Sequence, residues 1–319
     1  MTEIVLAVLF GVSLFLPFYT YVLYPLLLSL PRGKKYSEGG ALPSVTAIVC
    51  FGEGDGTAKR ASVEATGYPG LETVVSRDIN AAAASASGEI LVFLDNETEL
   101  DPDALRNIVK LFADKRVAMV VGEQTSREGN GAFWRYETKV RRMESKFGSV
   151  SGANASLFAI RRDAMPTVPE KVRNVPFYLS AKIKQNGGDV VYCPDAKTYE
   201  KKSGTPTFRK RVSDAAGYWQ AFGLFPGMLF FRRGSFVYVG HRVLKWFVWL
   251  DLTAAFLFNA ALCFFGWIWI VLLALQAVFY LSVIAFSRLK GGVGGIFRVF
   301  RYFLAVSFAF LPGMFVQNQ

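Results

Sequence analysis

The chain has 319 residues, 52% hydrophobic and 19% charged, with 36 Lys and Arg against 25 Asp and Glu and a formal charge of +11. Cys50, Cys193 and Cys263 are widely spaced and form no C-x-x-C pair, which excludes a disulfide framework or a zinc site. A Ser-His-Asp or Cys-His nucleophile would have to use His241, the lone histidine, at the edge of an apolar segment.

The average composition hides a split. The first 30 residues and the stretch after Trp246 are almost wholly Leu, Phe, Ala, Val and Ile, while the middle is ordinary soluble sequence. Such a chain reads as a membrane protein with one sizeable extramembrane domain. Many basic residues crowd beside the apolar segments: Arg32, Lys34 and Lys35, then Arg232, Arg233, Arg242 and Lys245, then Arg288 and Lys290. That placement favours membrane lipids as partners and argues against nucleic acid.

Residues 4–30 are apolar and uncharged, long enough to cross a bilayer of about 30 Å. A cleavable signal would place basic residues before a shorter apolar core. Here Glu3 precedes and the basic residues follow, so the segment reads as an uncleaved anchor with its N-terminus outside. Residues 247–286 read as two spans joined near Phe265-Gly266-Trp267, and 302–316 as a last, short one. One span plus three places 31–246 and 287–301 on the same side, and their Lys and Arg make that side cytoplasmic. Asp251, just inside the second span, is a functional candidate by its chemistry. Its simpler reading is a pair with Lys245 or Arg242.

In the soluble stretch, strands are predicted over 45–50, 71–76, 90–94, 117–121 and 189–193, with a short strand within 151–162. Helices are predicted over 57–66, 102–112, 133–147 and 177–185. Asp101 and Pro102 supply start signals for the second of these. The alternation argues for an α/β domain with a mostly parallel sheet. A basic amphipathic helix over 208–222 and the piece from Phe225 to Arg233 suit the membrane surface.

These residues resemble membrane-bound family 2 glycosyltransferases of the GT-A fold. The strongest matches are Gly88-Glu89-Ile90-Leu91-Val92-Phe93-Leu94-Asp95 and Leu100-Asp101-Pro102-Asp103-Ala104-Leu105. Trp134-x-Tyr136-Glu137, Gly152-Ala153-Asn154-Ala155, Ala159-Ile160-Arg161-Arg162 and Tyr192-Cys193-Pro194-Asp195-Ala196 follow in order. Arg209-Lys210-Arg211 with Trp219-Gln220 completes the series. The resemblance implies a domain at 43–205 that takes sugar from a nucleotide donor, between an anchor at 1–31, interfacial helices at 206–245 and a membrane region at 246–319. It also implies motif or acceptor-side roles for Gly152, Ala153, Asn154, Arg161, Arg162, Arg209, Arg211, Trp219 and Gln220.

The family holds a divalent ion at an Asp-x-Asp closing a sheet strand. Here that motif is Asp95-Asn96-Glu97, whose two carboxylates can take Mg²⁺ or Mn²⁺ and so bind the donor diphosphate. Strand-end acids are also common turn residues, so both readings stand. The family's general base lies at the start of the helix after Arg173-Asn174-Val175-Pro176, and none of these is acidic. Pro176 stands at the base position, and Glu170 is six residues earlier. The loop Phe51-Gly52-Glu53-Gly54-Asp55-Gly56-Thr57 lacks the spacing of a dinucleotide site and the lysine of a P-loop, and reads as a turn. After the second strand, Val75-Ser76-Arg77-Asp78-Ile79-Asn80 replaces the family's base-binding turn, and about a dozen residues reach the next strand. Roughly one helix and one strand of the nucleotide half are missing by this reading.

Two functions follow. One is a catalytically impaired relative, kept beside a partner synthase or a second copy of itself in polysaccharide or glycolipid assembly at a bacterial or archaeal plasma membrane. The other is an active transferase with a trimmed nucleotide-sugar pocket and a relocated base.

Overall fold

The computed structural model describes residues 1–30, 33–51, 56–125, 132–148, 150, 152–200, 207–229, 235–286 and 292–316. The predicted turn at 52–55 and the cations Arg32, Arg232, Arg233, Arg288 and Lys290 fall outside them. In chain order the elements begin with α1 (Thr2–Phe18), α2 (Tyr24–Ser29), β1 (Val45–Phe51), α3 (Thr57–Glu64), β2 (Leu71–Val75) and α4 (Ile79–Ser85). Then come β3 (Ile90–Asp95), β4 (Thr98–Leu100), α5 (Ala104–Lys110), β5 (Val117–Thr125), α6 (Ala132–Ser145) and β6 (Leu157–Arg161). The last are α7 (Val175–Gln185), β7 (Asp189–Glu200), α8 (Phe208–Leu224), α9 (Ser235–Val237), α10 (Leu244–Leu262), α11 (Trp267–Phe286) and α12 (Gly292–Val316).

The chain divides into two compact units, one of residues 1–30, 206–219 and 238–319, the other of 31–205 and 220–237. The second unit holds a seven-stranded sheet in the order β2-β1-β3-β6-β5-β7-β4. β1 is parallel to β2 and β3, and β5 to β7, while β6 runs against β3 and β5, and β4 against β7. The sheet is thus mixed, with fewer parallel pairings than alternating strands and helices suggest. The chain leaves β5 and enters β6 at the same end, as the pairing of Val121 with Phe158 requires, so α6 makes no crossover.

β3 is buried along its whole length because both faces of the sheet are covered. On one face, Val92 and Leu94 pack with Ala47, Val49, Leu157 and Ala159 against Val63 of α3 and Leu105 and Ile108 of α5. On the other, Phe93 stacks on Phe158 at 4.9 Å. Between the parallel strands β2 and β3 there is one helix, the seven-residue α4, capped by Asp78, whose carboxylate accepts from Ala81 N at 2.9 Å. β2 is consequently the edge of the sheet.

In the first unit, α1 continues through a π turn (Tyr19–Leu23) into α2. A second π turn (Tyr238–Val243) leads into α10, so that helix begins at Ser235, well before the predicted start at 247. Thr2–Ser29, Ser235–Leu262 and Trp267–Phe286 are each long and apolar enough to cross a membrane, and Phe300–Val316 is a shorter apolar stretch. α1 packs along α10, and Gly240 lets α2 come close, since a Cβ there would stand 2.5 Å from the Tyr24 ring. The buried stripe of α10 is Val248, Asp251, Ala255, Asn259 and Leu262, at helical spacing. Asn259 and Gln276 of α11 join their amides at 3.2 Å. The expected pair of Asp251 with Lys245 or Arg242 does not form. Lys245 lies over the Tyr21 ring and Arg242 over Tyr218, because six residues of helix turn Lys245 well away from Asp251.

Candidate functional site

The end of β3 gathers the first part of the site. Asp95 is opposite Phe51 of β1, and Leu94 opposite Leu157 of β6. Asp95 Oδ1 accepts from Thr98 N at 3.0 Å and Thr98 Oγ1 at 2.6 Å, closing a tight turn into β4. Lys59 reaches the same point from α3, 1% exposed, with Nζ 3.9 Å from Asp95 Oδ1 and 2.8 Å from the Thr98 carbonyl. A buried ammonium therefore balances the Asp95 charge. Glu97 is exposed at the tip of the turn. Burial and the Asp95 charge push the Cys50 thiol up, so Cys50 stays a thiol.

A second carboxylate, not singled out in the sequence, stands two strands away. Glu123 on β5 is 5% exposed, and its Oε1 accepts from Trp134 Nε1 at 3.0 Å and Thr138 Oγ1 at 3.1 Å. Its Oε2 is buried and without a hydrogen-bond partner. Continuing the registers of β3 and β5 along β6 sets Asp95 and Glu123 on either side of Ser156, about 10 Å apart by strand spacing. Ser156 Oγ donates to Asn154 Oδ1 at 3.0 Å, and Asn154 lies 3.5 Å from Gln124 Oε1, whose amide donates to Glu200 at 3.1 Å. Gly152, Ala153 and Asn154, just before β6, are thus brought to the Asp95 end of the sheet.

The remaining candidates lie elsewhere. Arg161 and Arg162 close β6 at its far end, roughly 17 Å along the strand. There the Arg161 guanidinium donates to the carbonyls of Val117, at 2.9 Å, and of Phe112 and Asp114. Arg162 donates to Ala86 O at 3.3 Å. Gln220 accepts from Arg173 N at 2.8 Å and donates to Lys171 O at 2.7 Å, fastening the loop before α7. In the other unit Trp219 donates to Phe310 O at 2.8 Å, Arg209 is exposed and Arg211 lies over the Tyr302 ring.

Pro176 is buried in the first turn of α7. Asn174 caps that helix, accepting from Phe177 N at 3.2 Å. Both residues are good helix starters, and neither brings a carboxylate.

Among the described residues no group of three or more His, Cys, Asp or Glu could hold a metal alone. Asp95 has one oxygen, Oδ2, outside its turn contacts, and Glu97 adds a second carboxylate. This set fits a divalent ion that takes its other ligands from a bound diphosphate and water.

Residues 74–168, which span β2 to β6 and Asp95, match the family described as Glycosyl transferase family 2. Over those residues the chain is similar to a family 2 glycosyl transferase domain. Among solved structures, a mannosyltransferase from Pyrobaculum calidifontis, in complex with GDP-Man and Mn²⁺, is 18% identical. That alignment covers 100% of this chain and 99% of the other, at a TM-score of 0.69. Glucosyl-3-phosphoglycerate synthase from Mycobacterium tuberculosis, with Mn²⁺ and UDP, is 11% identical over 60% of this chain and 87% of that one, at a TM-score of 0.40. No curated protein matches the chain. The transferase domain is GT-A-like in fold.

Proposed function

We propose that the chain is a membrane-held member of a machinery that assembles surface polysaccharide or glycolipid, in which its transferase domain is catalytically impaired. The observation that carries this reading is the start of α7, where a buried proline stands at the position the resemblance gives to the general base. The single short helix between β2 and β3 supports it from the donor side. The partner is a synthase or a second copy of this chain. Calorimetric titration with UDP- and GDP-sugars, with and without Mn²⁺, tests it, and tight, saturable donor binding would count against it.

Glu123 favours a second reading, an active transferase with a relocated base. It is a carboxylate with an unused oxygen near Asp95, and a base must accept the proton of the acceptor hydroxyl. In that case Asp95 and Glu97 hold Mg²⁺ or Mn²⁺, which offsets the charge of the leaving diphosphate. If a nucleotide-sugar binds, Asp95→Ala is expected to weaken it only when divalent ion is present. Equal affinity of wild type and variant in Mn²⁺ would reduce Asp95 to a turn residue.

Residues 31–246 lie on the cytoplasmic side in this reading, with both termini outside. Ser37 is exposed. Ser37→Cys is expected to resist a membrane-impermeant maleimide in intact cells and to label once they are opened, with wild type as the cysteine background. Labelling before opening would reverse the topology.

A further inference from the structure

Lys59 is a costly residue for its place. It is the third residue of α3, in the first turn, where the free backbone N–H groups already carry positive partial charge. Its side chain is also 1% exposed, and an ammonium out of water must replace its hydration with protein groups. It finds acceptors at the end of β3. Nζ donates to the Thr98 carbonyl at 2.8 Å and to Thr98 Oγ1 at 3.3 Å, and it is 3.9 Å from Asp95 Oδ1. Thr98 Oγ1 in turn donates to Asp95 Oδ1 at 2.6 Å, so the hydroxyl passes the pull of the ammonium on to the carboxylate.

The charges at this turn therefore sum differently from those of two free acids. Asp95 and Glu97 bring two negative charges, and Lys59 cancels one of them. Asp95 is itself 8% exposed, so the ammonium acts on it through protein rather than through bulk water. Glu97 is exposed, and solvent answers most of its charge. A divalent ion approaching Asp95 Oδ2 meets a carboxylate whose charge is already partly balanced, with a fixed positive charge behind it.

We infer that Lys59 is a positioning residue that holds the affinity of the Asp95-Glu97 pair for a divalent ion low. The lysine supplies by its own charge part of what a dication does at such a pair, and it fixes Asp95 Oδ1 and the Thr98 turn without one. The inference rests on the reading of Asp95 and Glu97 as the ion's ligands, and it does not depend on whether the domain transfers sugar.

The test is Mn²⁺ binding to the full chain in detergent micelles, without nucleotide, followed by loss of the free-ion electron paramagnetic resonance signal. Lys59→Met, which keeps the reach of the side chain and removes its charge, is expected to bind Mn²⁺ at least about tenfold more tightly than wild type. Lys59→Arg, which keeps the charge, is expected to stay within about twofold of wild type. Adding Asp95→Ala to Lys59→Met should abolish the gain. A lysine that only pins the turn predicts the opposite sign, because a loosened turn holds an ion less well. Lys59→Met that binds no more tightly than wild type overturns the role of Lys59. If Asp95→Ala still weakens Mn²⁺ binding in that case, the ion site stands without Lys59, and if it does not, the site falls as well. A gain that survives Asp95→Ala overturns both, since the ion then lies elsewhere. Should Lys59→Met fail to fold, Lys59→Gln, which keeps a donor for the Thr98 carbonyl, is read in the same way.

Discussion

Purified wild-type chain supplied with UDP- or GDP-sugars and Mn²⁺ is expected to show no measurable transfer. A positioned general base contributes about 10²–10⁴-fold in rate, so its loss alone slows an enzyme without abolishing turnover. At the α7 start the chain has Asn174 as the cap and Pro176 buried in the first turn, and neither can accept a proton. On the proposed reading the donor side acts separately, since the short α4 is the one helix between β2 and β3 and β2 is the sheet edge. Pro176→Asp is therefore expected not to restore activity by itself. In cells, deleting the chain should lower polymer output, while Asp95→Ala should leave output unchanged. Robust turnover by the purified protein, abolished by Glu123→Gln, would instead establish the relocated-base reading.

Asp189→Ala is expected to be the most damaging single change to stability. The carboxylate opens β7 at 4% exposure and accepts from Lys34 Nζ at 2.6 and 2.8 Å, Lys184 Nζ at 3.1 Å and the Tyr36 hydroxyl at 3.1 Å. Burial and the Asp189 charge push the Tyr36 phenol up, which keeps it a donor. Gly148 lies against the same group, since a Cβ there would stand 2.4 Å from Asp189 Oδ1, and its φ is +66°. Removing one partner of a buried ion pair costs about 3–5 kcal/mol. Lys34 is a third exposed, so water recovers part of its share and the lower end applies. A fall in the unfolding midpoint on the order of 10 °C is expected. A fall under about 2 °C would show that the linker is held by other contacts.

The parts of this fold that bury continuous apolar runs were readable from the chain. β1 and β3 are such runs because parallel strands covered on both faces have no polar side to alternate. β4 was missed, since Thr98-Glu99-Leu100 is three residues long and exists through its pairing with Thr198 to Glu200. The second half of β7 was missed for the same reason, as Asp195 to Glu200 is polar sequence recruited by a neighbour. Asp95 is legible as an acid closing an apolar strand. Lys59 is not, because a lysine in an eight-residue helix reads as solvated until the turn at Thr98 is folded beneath it. Glu123 escaped because no spacing along the chain relates residues 95, 123 and 156, and strand register alone brings them together.

The interleaving of the two units in sequence bears on how the protein is made. α1 leaves the ribosome before α10, the helix it packs along, which begins about 225 residues after α1 ends. At roughly 5–20 residues per second, and in the membrane placement proposed above, α1 waits about 10–45 s in the bilayer before that partner is synthesised. Its buried Ser13, and Thr20 in the π turn that continues it, are suited to the interval, because each hydroxyl already donates at 2.9 Å to a carbonyl one turn back, Leu9 and Leu16. In the membrane placement proposed above, these two hydroxyls need no later partner while the helix stands alone in lipid.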